Sequence, residues 1–409
     1  MPRIQPFRAI RPAREYADTV ASVPYDVVSR AEAAALAKDN SSSFLHVIRP
    51  DIDLPPGTNP YAAEVYETGR ASLDRLLAEG VMHRDPDSCL YVYRQIMGGT
   101  PQVGLVCCCH VDDYANNLVR KHEKTRPDKE NDRTRHVMTL NVHAGPVFLS
   151  YRGDETIDAL VRTVLQTPAL YDFTAEDGVQ HTVWKVTETD PYVAAMLTVP
   201  VFYVADGHHR SASAWRAAME RRSTNKHHTG KEEYNWFLSV LFPANQLRIL
   251  SYNRIVRDLN GLTVADLKAQ LSTVGQLEAI DNPVPATAGS FCIYVDRSWC
   301  RLTVPSDSID VSDAVNSLDV ALLEDRVLRP IFAIDDVRTD ERIGFVGGIR
   351  GTEELERLVD SGEWAVAVSM YPTSMDQLMR VSDAGRIMPP KSTWFEPKLR
   401  SGLLIHSLD

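Results

Sequence analysis

The sequence predicts an α+β fold, a mixed α/β arrangement in which locally paired strands share the chain with amphipathic helices. Three observations predict it. The runs "CLYVYRQI" and "VGLVCCCHV" are rich in β-branched and aromatic residues and flank "MGGTPQ", as two strands of a hairpin would. Residues 60–80 carry Val65, Leu73, Leu76 and Leu77 at helical spacing and close on Gly80. From residue 180 onward, short apolar runs and helical patterns are interspersed.

In chain order, "TIDALVRTVLQ" reads as an amphipathic helix, "HTVWKVT" and "VPVFYVAD" as strands, and "DPYVAAML" between them as a helical turn with an early proline. Beyond residue 245, "GSFCIYVD", "WCRLTV" and "AVAVSMY" read as strands, while "TVADLKAQL", "SLDVALLEDRVL" and "TEELERLVDSG" read as helices. This gives an N-terminal region over 1–100, a core over 101–245 and a C-terminal region over 246–409. The last segment, "RIMPPKSTWFEPKLRSGLLIHSLD", is too apolar for a free tail and is expected to fold back on the core.

A chain of 409 residues, 44% hydrophobic and 24% charged, has ample material for a core. Its net charge of −11 argues against a general nucleic-acid or anionic-membrane binder. No apolar run reaches the length of a membrane span and the start lacks a secretory pattern, so a cytoplasmic protein is expected. The six cysteines form no CxxC pair; Cys107, Cys108 and Cys109 read as small apolar residues of a buried strand.

Chemistry concentrates in "VFYVADGHHRSASAWRAAMERR", residues 201–222. An apolar strand runs into Asp206, Gly207 permits a turn closed to other residues, and helix formers come next, with Ala212, Trp215 and Met219 on one stripe. Such a junction aims the unpaired amides of a helix N-terminus at one spot, where an anion is stabilised. His208, His209 and Arg210 add donors, Ser211 enters the helix, and Asp206 is placed to orient a hydroxyl or hold Mg²⁺. The bland alternative is a D-G turn that merely caps a helix. A zinc site on the two adjacent histidines is disfavoured, since neighbours in a helix point apart.

The second candidate is "VRKHEKTRPDKENDRTRH", 119–136, with seven Lys or Arg against four Asp or Glu. It reads as a solvated ionic segment leading into the buried strand "GPVFLSY", a common position for binding residues. Glu123, between His122 and Lys124, is the general-base candidate; Arg126, Lys129, Arg133 and Arg135 could neutralise phosphates. The third is "MPPKSTWFEPK", where Lys391, Ser392 and Thr393 offer a cation and two hydroxyls. "FVGGIRG" is a glycine-rich turn, but neither a P-loop nor a G-x-G-x-x-G motif is present.

Seven ordered blocks carry a resemblance: "VPYDVVS", "SFLHVIRPDID", "KHEKTRPDKENDR", "ADGHHR", "YNRIVRDLNGL", "FVGGIRG" and "PPKSTWFEPKLRSGLLI". On these the chain resembles, end to end, the bacterial domain-of-unknown-function family one-zero-one-five. More distantly, "DGHHRSASA" resembles the D-G-H-x-R-x-x-A box of free serine kinases with the ParB/sulfiredoxin-like fold, and "KHEKT" resembles their H-E dipeptide. That resemblance implies an ATP- or ADP-dependent kinase of a small hydroxylated metabolite, L-serine first, working with Mg²⁺. It implies Glu123 as base, the 206–210 box as phosphate site, and Lys391 as a substrate contact. The second histidine is often threonine in those kinases, and this chain is much longer. The alternatives are a ParB-like nucleotide-binding regulator without kinase activity, and a sulfiredoxin-type repair enzyme needing a cysteine beside the box.

Overall fold

The hairpin foreseen around "MGGTPQ" forms the middle of the first sheet. In the computed structural model, which describes residues 1–409, Leu90–Met97 (β2) and Thr100–His110 (β3) pair antiparallel with Met97 opposite Thr100. The two-residue turn needs positive φ at both positions, and Gly98 and Gly99 supply 56° and 78°. Together with Ile4–Gln5 (β1), Val119–Arg120 (β4), Val147–Tyr151 (β5), Tyr171–Thr174 (β6), Gln180–Val186 (β7), Phe202–Asp206 (β8) and Trp236–Pro243 (β9), the hairpin builds a nine-stranded mixed sheet. Its order is β4-β8-β5-β9-β3-β2-β7-β6, with β1 also on β3. Cys107, Cys108 and Cys109 lie in β3, fully buried and free of disulfides, which is why the strand tolerates three consecutive small apolar residues.

The three longest helices of this unit are Ala63–Ala78 (α1), Pro127–Leu140 (α2) and His208–Thr224 (α3). Helices α2 and α3 pack on one another, and Ala212, Ala214 and Ala218 of α3 lie over Val147, Leu149, Phe202, Val204 and Phe237 of the sheet. The ionic block 119–136 is mostly helix. Pro127 opens it at a position where its missing N–H costs nothing, with Asp128 and Glu130 in the positive first turn.

Two compact units emerge: residues 1–247 with 397–409, and residues 248–396. The boundary expected near residue 100 cuts through the β2–β3 hairpin itself, so the N-terminal region and the expected core are one unit. The chain end returns to this unit, where His406–Ser407 pairs with Val142–His143. The second unit has its own six-stranded antiparallel sheet. With Tyr252–Val256 (β10), Gln276–Ala279 (β11), Ser290–Val295 (β12), Ser298–Thr303 (β13), Ile343–Gly347 (β14) and Val366–Met370 (β15), its order is β11-β13-β12-β15-β10-β14. Ile255, Cys292, Tyr294, Leu355 and Ala367 lie in its core. No helix is long and apolar enough to cross a membrane.

The first unit buries neutral imidazoles. His181 accepts from Arg400 Nε at 3.2 Å, so its proton sits on Nδ1 toward the Tyr93 hydroxyl at 2.7 Å. His136 Nε2 donates to the Val47 carbonyl at 3.1 Å. Burial first, then Arg400 and Arg133 respectively, pushes each imidazole down to about 3. Below pH 6.5 the unfolded chain takes up protons that the folded one refuses, so stability present at neutral pH is lost as pH falls. The expected slope reaches about 1.4 kcal/mol per pH unit for each histidine between roughly pH 6 and 4. Urea melts at pH 7 and pH 5 test this, and equal midpoints would contradict it.

Candidate functional site

Two short strands bring the motifs together. β4 lies parallel to β8, with Val119 opposite Phe202 and Arg120 opposite Tyr203. Parallel neighbours leave the sheet at the same end. The bend holding His122 and Glu123 therefore emerges beside Asp206, Gly207 and His208, although more than eighty residues separate them in sequence. The carboxyl ends of adjacent strands are where open α/β sheets place their ligands.

At that end, Gly207 takes φ 93° and ψ 32°, a left-handed turn that converts the strand into α3 within one residue. No side chain caps the helix. The first intrahelical bond runs from Ser211 N to the Gly207 carbonyl at 2.9 Å, so the amides of His208, His209 and Arg210 precede the helical ladder. Arg210 curls back over the turn. Nη1 donates to the Pro146 carbonyl, Nη2 to Asp206 Oδ2 at 3.2 Å, and Nε is buried without a partner. A Cβ on Gly207 would stand 3.1 Å from Arg210 Nε. Gly207→Ala should thus cost about 1–2 kcal/mol from the left-handed backbone alone and displace the guanidinium. A chemical melt unchanged from wild type would refute the strain.

Asp206 ends β8 beside two cations, Arg210 and Lys398, whose Nζ lies 3.8 Å from Oδ2. Burial pushes its pKa up, but Lys398 and then Arg210 outweigh it and hold the carboxyl well below the usual range. The Gly207 amide also bonds it, so the carboxylate expected to hold Mg²⁺ is already neutralised from two sides. Held in this way, it orients Arg210.

His122 and His208 meet edge to face, their ring centroids 4.5 Å apart, with His208 Nδ1 3.9 Å from Glu123 Oε2. Burial is the main cause that lowers both imidazoles to about 3; for His122 its neighbour His208 adds to it. Both rings are neutral at pH 7. Glu123 remains 40% exposed, open to solvent and to a substrate. His209 faces the other way along the helix, where Nε2 accepts from the Arg126 amide at 3.1 Å, tying the bend to α3.

The remaining expected residues divide. Ser211 is buried and donates its hydroxyl to the carbonyls of Gly207 and His208 at 3.3 and 3.0 Å, so it closes the first helical turn and offers a ligand nothing. Lys124 is exposed on the bend. Arg133, paired with Asp132 at 2.8 Å and stacked 4.1 Å over Tyr25, lines a cavity of about 530 Å³, its open mouth included, together with Arg210, His136, His143 and Ser401. Lys391, Ser392 and Thr393 belong to the second unit. There Lys391 takes φ 56° with Nζ 5.5 Å over the Tyr252 ring, and Ser392 donates to the Pro389 carbonyl at 2.6 Å. Three participants escaped the sequence. Lys398 lies in the stretch from which Lys391 was chosen. Tyr25 and Asp26, from "VPYDVVS", lie close enough to Arg210 to raise its pKa, against burial and after Asp206.

Residues 4–321 match the family described as protein of unknown function, DUF1015. The chain belongs to this family. No curated protein matches it. Among solved structures it is similar to a free serine kinase in complex with AMP, at 12% identity and TM-score 0.35 over 74% of this chain and 91% of that one. It is also similar to C-terminally truncated SbnI from Staphylococcus aureus, at 11% identity and TM-score 0.39 over 74% and 87%. A conserved hypothetical protein from Pyrococcus furiosus matches at 12% identity and TM-score 0.33 over 73% and 95%.

Proposed function

We propose that this DUF1015 protein is a kinase, its first unit a ParB/sulfiredoxin-like nucleotide-binding core, that passes the terminal phosphoryl group of ATP or ADP to the hydroxyl of a small metabolite, L-serine foremost. The observation that carries this reading is the uncapped N-terminus of α3, with Arg210 folded over it and Glu123 3.9 Å from the His208 ring. Phosphoryl transfer asks a protein mainly for positioned phosphates, charge neutralisation and a base near the acceptor.

In this reading the amides of His208, His209 and Arg210 and the Arg210 guanidinium hold the nucleotide's phosphates. Glu123 accepts the hydroxyl proton as the new oxygen–phosphorus bond forms. The bond to the leaving phosphate breaks, and the shortened nucleotide departs with its electron pair. Arg133 and Lys124 serve the acceptor's negative groups. No step is assigned to Mg²⁺, which reaches the site only as the nucleotide's own counter-ion.

The test is incubation of the full chain with ATP or ADP, Mg²⁺ and L-serine, read by mass spectrometry for O-phosphoserine. Nucleotide binding without product, across serine and a panel of hydroxylated metabolites, would replace the kinase with a nucleotide-binding regulator.

A further inference from the structure

We infer that His122, Glu123 and His208 form a binding site for a divalent first-row transition metal ion, with Zn²⁺ and Co²⁺ as probes. The site stands independently of the kinase reading. One donor atom from each residue lies within 4.8 Å of the other two. Three points so placed all lie within about 2.8 Å of a common centre, so shifts below about 1 Å bring them to ordinary Zn–N and Zn–O lengths of about 2.0–2.2 Å.

The chemistry of the donors agrees with the distances. Two imidazoles and one carboxylate suit zinc, iron or nickel, whereas Mg²⁺ prefers oxygen ligands and keeps its waters. His208 is 6% exposed, its Nε2 has no hydrogen-bond partner, and its Nδ1 faces Glu123. The His122 ring bonds the main chain at Val204, the orienting contact that metal-bound imidazoles ordinarily have. The rings come from different strand ends, β4 and β8, so the adjacency problem that separates His208 from His209 does not arise. Three protein ligands, with Glu123 at the solvent edge, leave a further coordination position open.

Metal-stripped full-length protein should take up one equivalent of Zn²⁺ by isothermal titration, and Co²⁺ should give a visible ligand-field spectrum. Millimolar Mg²⁺ should compete with neither. Glu123→Gln, at a partly exposed position, should weaken Zn²⁺ binding at least about tenfold, and His208→Asn should weaken it further. The control is His227→Ala/His228→Ala, two adjacent exposed histidines beyond the end of α3, which should leave binding intact. The site is refuted by absent uptake, by displacement with Mg²⁺, by unchanged affinity in Glu123→Gln, or by loss that tracks His227 and His228. Should His208→Asn not fold, Glu123→Gln and the control pair decide alone. None of these readouts is an activity, so failure of the kinase assay leaves them standing, and the reverse holds too.

Discussion

On the proposed kinase reading, Glu123→Gln is expected to lower the rate of phosphoryl transfer by about 10²–10⁴-fold while leaving nucleotide affinity within about twofold. The substitution preserves size and shape, and the side chain is 40% exposed, so folding is unaffected. What is lost is the carboxylate oxygen proposed to take the hydroxyl proton. The proposed phosphate donors sit on α3 and are untouched, which separates binding from turnover. Single-turnover kinetics with prebound nucleotide make the comparison free of product release. Full activity in the variant would move the base elsewhere. Because Glu123 is also placed among metal donors, the experiment is run with and without excess Zn²⁺. Rate restored by metal would assign the loss to coordination, and rate still lost assigns it to the proton.

The box at 206–210 could be read from its residues because strand, glycine and helix formers succeed one another without interruption, and each element is local. Its meeting with His122 and Glu123 could not, because that depends on β4, two residues long, lying parallel to β8. Two residues carry no periodicity, and only the motif resemblance joined the segments. The ionic block hid its helix behind its charge: Pro127 and the acids after it mark a helix start. Lys398 was hidden for a different reason. It pairs with Asp206 only because the chain end returns to the first unit, a long-range fact to which local composition is blind. The same distance hid Lys398 from Asp206, whose other cation, Arg210, stands four residues on in the same motif.

Arg210→Ala is expected to weaken nucleotide binding by roughly 10- to 150-fold, the worth of about 1.5–3 kcal/mol for a charge-assisted contact to phosphate. It also destabilises the protein. The guanidinium, 11% exposed, links the Pro146 carbonyl, Asp206 and the turn at Gly207. Its removal leaves Asp206 facing Lys398 alone at 3.8 Å. A fully buried pair broken on one side costs about 3–5 kcal/mol, but Asp206 is 30% exposed and water recovers part of it, so a loss of about 1–3 kcal/mol is expected. The two effects are separable. Asp206→Asn in the Arg210→Ala background removes the stranded charge and restores part of the stability, while nucleotide affinity stays low. Arg210→Lys keeps the charge without the planar fork and falls between. A folded Arg210→Ala protein that binds nucleotide as tightly as wild type would mean that the phosphates lie somewhere other than at the head of α3, and Glu123 would then have no phosphoryl group beside it to serve.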